Sequence, residues 1–343
     1  MSTPSPATPS PATPHEAARH PAAPRQDTAA ARPRRLRGLA WLLVHQHRTA
    51  LIACAAVTLI GAAFIVHQRA AMLDTLHATG WHATSARPID GEVYNRAAND
   101  LNSFGSWLGY LPLLLGVFLG APLIAADKEH GTARLVTTQS VPRSRWLLWK
   151  LCFALVLAAV PTLILSLLYS WWWHSVGPLA PEDWLNGSVF EATGPVLVAT
   201  ALFTTSLGIM TGALARRAVP AMTATFVIAG TALFGAGLLR ERLATPRMLA
   251  YPLGGAQPAA LEHAVQVDQW IGTASGKLYG WGTCVHETSP ESCRASLGIV
   301  NSVWEYFDHG QMAGMQWTAA GVFLGLSALL VGAFLRWTRQ SAL

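Results

Sequence analysis

The sequence predicts an all-α polytopic membrane protein, on three observations. First, six apolar runs, roughly 50–66, 107–126, 147–169, 193–214, 219–239 and 317–335, are each close to the ~20 residues that a helix rising ~1.5 Å per residue needs to cross a bilayer's hydrocarbon. Second, the chain is 52% hydrophobic and 12% charged, with a mean hydropathy of +0.32, which excludes an ordinary soluble enzyme. Third, charge is distributed by side. If residues 1–49, 127–150, 215–218 and 336–343 share one face, that face holds 16 of the 24 Lys and Arg but four of the 18 Asp and Glu. The positive-inside rule makes that face cytoplasmic, with both termini inside. Arg240, Arg242 and Arg247 run against this bias, in a long loop that the rule weights weakly.

Residues 1–31 are mainly Pro, Ala, Ser and Thr with almost no large apolar side chains. Too little surface could be buried to offset ordering, so a disordered cytoplasmic tail is expected. It has no short apolar core with a small-residue cleavage site, so the first run is expected to act as an uncleaved anchor. In 32–48, Leu36, Leu39, Leu43 and Trp41 can share one helical stripe while Arg34, Arg35, Arg37, His45 and Arg48 stay polar. That pattern predicts an interfacial elbow helix in the headgroup plane, a ragged lead-in to the first crossing being the plainer alternative. Basic residues beside a crossing serve topology and anionic lipid, and no nucleic-acid partner is expected.

The six-helix domain occupies 49–343. Trp171-Trp172-Trp173 end the third run and read as interface anchors. Residues 240–316 are long enough for an extracellular loop subdomain, and contain Cys284 and Cys293 within GTCVHETSPESCRAS. Outside the cytosol, two cysteines around a turn-rich loop favour a disulfide. With His286 they offer three metal ligands, but no fourth is spaced nearby and the pattern matches no zinc motif. Cys54 and Cys152 read as small apolar residues within crossings.

Several function classes lose their residues. Gly276-Lys277 sits in IGTASGKL, one place out of register for a phosphate loop and with Leu278 where Ser or Thr would hold magnesium. HExxH, GxSxG and an acidic pair within a crossing are missing, so the chain is not expected to be an enzyme. The middles of the runs carry no charge of the kind an ion-coupled carrier uses. Instead they carry the pairs Gly116/Gly120, Gly208/Gly212 and Gly321/Gly325, suited to close helix packing or dimerisation.

One segment stands apart. Residues 127–146, DKEHGTARLVTTQSVPRSRW, lie between two crossings with their own start and stop signals. Gly131 breaks from the second crossing, Thr132 can cap a short helix through about Thr138, and Pro142 suits the first turn of the third. Arg143, Arg145 and Lys150 are expected to pin that turn to the headgroups. A short helix held between two fixed crossings is a lever.

The segment resembles the coupling region of ABC-2 type ABC transporter permeases, where an acidic residue precedes Gly-Thr, a short helix follows, and Pro or Val, Arg and Lys lead onward. The matching positions are Glu129, Gly131, Thr132, Leu135, Thr138, Pro142, Arg143 and Lys150. The pattern of Gln139, Val141, Arg143, Arg145 and Trp146 is similar to actinomycete permeases in particular. The likeness extends loosely over 35–340 and departs at Arg134, often Glu in relatives, and at Asp127-Lys128, often Arg-Glu. It implies an ABC-2 exporter-like bundle in the plasma membrane, paired with itself or a sister permease, among membrane lipids. Two cytoplasmic ABC ATPase subunits would supply ATP and Mg, so this chain itself binds no cofactor. In that reading Asp127 and Glu129 meet basic groups on the ATPase, Thr132, Leu135 and Thr138 fill its groove, and Gly131, Arg143 and Arg145 complete the contact. The cargo, along the dimer seam, would be amphiphilic or lipid-like. The competing expectation is a non-transporting sensor or assembly subunit whose extracellular loop binds a partner.

Overall fold

The computed structural model describes residues 39–78, 80, 91–131, 143–176, 184–185, 187–261 and 264–340. The expected tail (1–31), the first residues of the expected elbow (32–38) and most of the lever (132–142) lie outside that set. Helix α1 (Leu39–Gln46) precedes the first crossing, α2 (Arg48–Ala78). The second crossing is α3 (Gly91–Leu115), a π turn (Gly116–Gly120) and α4 (Pro122–Glu129). Then come α5 (Arg143–Ser175), the short α6 (Val189–Ala192), α7 (Val196–Leu214) and α8 (Ala218–Leu238). The last crossing is α10 (Met312–Gln340), and among the described residues six helices are long and apolar enough to span a membrane. The first runs well beyond the expected Val66, to Ala78.

Burial follows helical periodicity. In α5 the buried residues Leu147, Leu151, Ala154, Ala158, Thr162, Leu165, Tyr169 and Trp172 recur at three- and four-residue intervals, one stripe facing the bundle. Its other face leaves Val156, Leu163 and Leu167 exposed, as suits lipid. The fourth crossing, α7, is the buried centre, whereas α2 exposes most of its length.

Two of the three glycine pairs explain how α7 can be central. A Cβ on Gly116 would stand 2.7 Å from the Thr204 carbonyl oxygen, and one on Gly120 2.6 Å from that of Thr205. From the other side, side chains at Gly208 and Gly212 would overlap the carbonyl oxygens of Gly116 and Ala121. The second and fourth crossings therefore touch backbone to backbone. Gly321 and Gly325 meet nothing within 4 Å. The π turn falls at this contact, its wide turn closed by Ala121 N–H donating to Gly116 O at 3.0 Å. The Thr204 hydroxyl donates to Pro112 O at 2.5 Å, binding α7 to the turn before it.

At the opposite end from residues 127–150 the loop after α8 folds into a four-stranded antiparallel sheet, an addition to the helical fold class. Strands β1 (Arg247–Pro252), β2 (Val265–Thr273), β3 (Leu278–Gly280) and β4 (Ile299–Phe307) are ordered β1-β4-β2-β3. Helix α9 (Pro290–Ser296) carries Cys293, which is disulfide-bonded to Cys284 across a Cα–Cα distance of 5.7 Å. The sheet is rooted in the bundle: Val265 and Phe307 share a buried cluster with Trp173, Trp184, Phe190, Met312 and Met315. Gln316 locks the root, its amide donating to Thr193 Oγ1 at 2.8 Å and to Phe190 O at 3.1 Å. The tryptophan triplet is thus mostly structural. Trp172 and Trp173 are buried, and Trp171 alone stays exposed, with the Arg69 guanidinium 3.8 Å over its ring.

Two outcomes are expected. Gly208→Ala should destabilise the purified protein by about 1–3 kcal/mol through overpacking, read as a lower thermal midpoint, while Gly325→Ala leaves the midpoint in place. The Cys284–Cys293 link closes a loop with a sequence separation of 9. For such a loop the chain-entropy stabilisation is about 2–3 kcal/mol. Replacing both cysteines with Ser should therefore expose residues 278–298 to limited proteolysis while the helices stay protected.

Candidate functional site at the end of the second crossing

Successive residues on an α-helix point ~100° apart, so the charged triplet that ends α4 reaches three different neighbours. Asp127 forms an ion pair with Lys150, the buried cation of α5. The Lys150 ammonium also donates to Leu123 O at 3.1 Å and lies 4.5 Å from the Trp146 ring centroid. The Gln46 amide at the end of α1 approaches Asp127 Oδ1 at 3.5 Å. Lys128 donates to Ala213 O in the last turn of α7, where a helix leaves carbonyls without internal partners. Its ammonium is 5.3 Å from the Trp337 ring centroid on α10. Glu129 accepts the N–H of Ala218 at 2.9 Å, at the start of α8, where a carboxylate also complements the helix dipole.

One short helix end therefore binds α1 and every crossing from the third to the sixth. It then stops. His130 N–H closes on Ala126 O at 3.0 Å, and Gly131 takes φ +70°, the left-handed conformation that ends a helix and that glycine adopts without strain. Beside the pair, His47 packs its ring 5.6 Å from that of Phe153. Burial pushes its imidazole below the ordinary range and the Lys150 charge acts the same way, with Asp127 opposing.

The residues singled out from sequence fall into three groups. Asp127, Glu129 and Gly131 are brought together at the helix end, with both carboxylates engaged inside the protein. Arg145 is exposed on the first turn of α5, and Arg143 opens that helix. Thr132, Leu135 and Thr138, and the side chain of Arg143, lie outside the described residues. Cys284 and Cys293 are paired at the far end of the molecule. Lys150, expected at the headgroups, is instead fully buried against Asp127. Lys128 was not singled out, although its place between two acids at a helix end is the signal that marks it.

A family model described as ABC-2 membrane transporter related matches residues 55–240, from the first crossing to the beginning of the sheet-bearing loop. No curated protein and no solved structure matches the chain.

Removing one member of a buried ion pair leaves the other charge uncompensated, at a cost of about 3–5 kcal/mol. Lys150→Met and Asp127→Leu are each expected to lower the thermal midpoint of the purified protein sharply. The double variant should recover most of that loss, because an apolar pair of similar size replaces both charges.

Proposed function

The chain belongs to the ABC-2 membrane transporter related family, and from that premise we propose that it is an exporter permease driven through residues 127–146. As a membrane permease component of an ABC transporter it works with separate ATPase subunits, which hold ATP and Mg. On our reading the inner face of this chain is the one bearing 127–150, and it sits in the plasma membrane as a dimer with itself or a sister permease.

The observation that carries the proposal is the fixing of both roots of the segment. The pair Asp127–Lys150 ties the end of α4 to the first turns of α5. A force applied between Gly131 and Arg143 then cannot simply splay the two helix ends apart. It acts on the bundle, and through Lys128 and Glu129 reaches α7 and α8 directly. The two acids support the contact by holding its base rather than by offering free charge. The residues assigned to an ATPase groove are then Thr132, Leu135 and Thr138, together with the exposed Arg145. A cargo that is amphiphilic or lipid-like accords with crossings whose exposed faces are largely apolar.

The test is copurification. In mild detergent, wild-type chain is expected to retain an ABC ATPase identified by mass spectrometry, and Leu135→Asp with Thr138→Arg to lose it while keeping its thermal midpoint. Failure of any ATPase to copurify after gentle crosslinking would instead favour the non-transporting sensor or assembly subunit.

A further inference from the structure

At the sheet-bearing end, between the second, fourth, fifth and sixth crossings, lies a cavity of about 470 Å³, within the usual size of small-molecule sites. Its walls are mostly apolar, with Leu197 and Phe323 buried behind it, Leu233, Ala236, Val322 and Leu326 around it, and the hydroxyls of Thr200 and Thr231 among them. Charge occurs at one place. Arg240 and Glu191 line the cavity as an ion pair.

The two partners differ in what they have left to offer. The Arg240 guanidinium donates to Glu191 Oε1 and, at 2.7 Å, to Leu185 O, and lies 5.4 Å from the Phe190 ring centroid. Glu191 is 43% exposed at its side chain, and its second oxygen, Oε2, accepts no hydrogen bond from any described residue. The space beside Oε2 is kept by Gly109, where a Cβ would come within 3.0 Å. A mostly apolar chamber with an open carboxylate oxygen at its charged corner, and only the hydroxyls of Thr200 and Thr231 as further polar side chains among its described lining, favours an apolar body with a donating head. An acidic head would face like charge, with the neighbouring cation already engaged.

We propose that this cavity binds a slender amphiphile, its apolar body among the crossings and its head, a primary ammonium or hydroxyl, donating to Glu191 Oε2. This deepens the exporter reading by assigning its cargo a chemical class and a place inside one protomer. Binding is measured on the chain alone, so the site can stand or fall separately from the pairing with an ATPase.

The structure provides a clean way to close the site. Gly235 lines the cavity on α8, and an added Cβ there meets nothing within 4 Å, so Gly235→Leu fills the space without distorting the helix. Gly230, on the same helix, is equally open and lies outside the lining, so Gly230→Leu is the control. Purified chain in lipid nanodiscs is exposed to three photoactivatable long-chain probes, an amine, an alcohol and a carboxylic acid, and labelled peptides are mapped by mass spectrometry. The amine and alcohol are expected to label α8 and α10 beside the cavity, with the acid, and Gly235→Leu with any probe, roughly tenfold lower, a difference of about 1.4 kcal/mol. Gly230→Leu should label like wild type, and Glu191→Gln should lose the amine more than the alcohol. Equal labelling by the acid, or labelling untouched by Gly235→Leu, would overturn the proposal.

Discussion

The arrangement depends on how charge is satisfied where a helix ends against protein rather than water. Backbone groups at helix termini lack internal partners, and buried charges need both a counter-charge and hydrogen bonds. Asp127, Lys128 and Glu129 meet several of these demands at once: a buried ammonium on α5, a terminal carbonyl of α7 and an initial N–H of α8. Because each contact is to a different crossing, the end of α4 cannot move without disturbing three neighbours. The backbone contact above it adds to this. Glycines 116, 120, 208 and 212 bring the second and fourth crossings too close for either to slide past a side chain of the other.

The crossings were legible because length and apolarity suffice to recognise them, and neither depends on tertiary context. The glycine pairs were legible as packing sites but not as partners, since spacing alone does not say which helix lies opposite. Gly116/Gly120 and Gly208/Gly212 face each other within the chain, whereas Gly321/Gly325 stays open. Lys150 and the tryptophan triplet misled for one reason. A Lys or Trp at the end of a crossing looks the same in sequence whether its neighbours are headgroups or protein. Here α4 lies against Lys150, and the sheet's root lies against Trp173. The sheet itself was read only as a subdomain. Its strands are interrupted by register shifts at Gln266/Asp268 and Gly272/Thr273, and β3 is three residues long, which blurs the alternation that marks a strand.

The family match stops at residue 240, just before the sheet, whose first strand starts at Arg247. The inner helix end, the backbone contact and most of the cavity's lining all fall within the matched span, while the sheet and the last crossing lie beyond it. The sheet is nonetheless part of the same packing. Phe307 and Val265 are buried with Trp173 and Phe190, and Gln316 joins the root of α10 to the turn before α7. It therefore supports one end of the crossings whose opposite ends α4 gathers.

These two supports leave one crossing less constrained than the rest. Helix α8 is held at its first residue by Glu129 and at its end by the Arg240 ion pair, but between them it is lightly packed. A Cβ at Gly230 or Gly235 would meet nothing within 4 Å, and the half of the helix toward the sheet lines the cavity, with Ala229 buried beside it. A helix fixed at its base and loosely packed above it can tilt with little loss of contact, whereas the second and fourth crossings can move only together. On the proposed coupling, a displacement imposed at Gly131 would pass through Glu129 to the start of α8, and a tilt of that helix would reach the cavity. In the proposed coupling, the element that would carry the displacement and the one that would yield to it meet at the Ala218 N–H to Glu129 hydrogen bond and in the buried packing of Ala125 against Ala221.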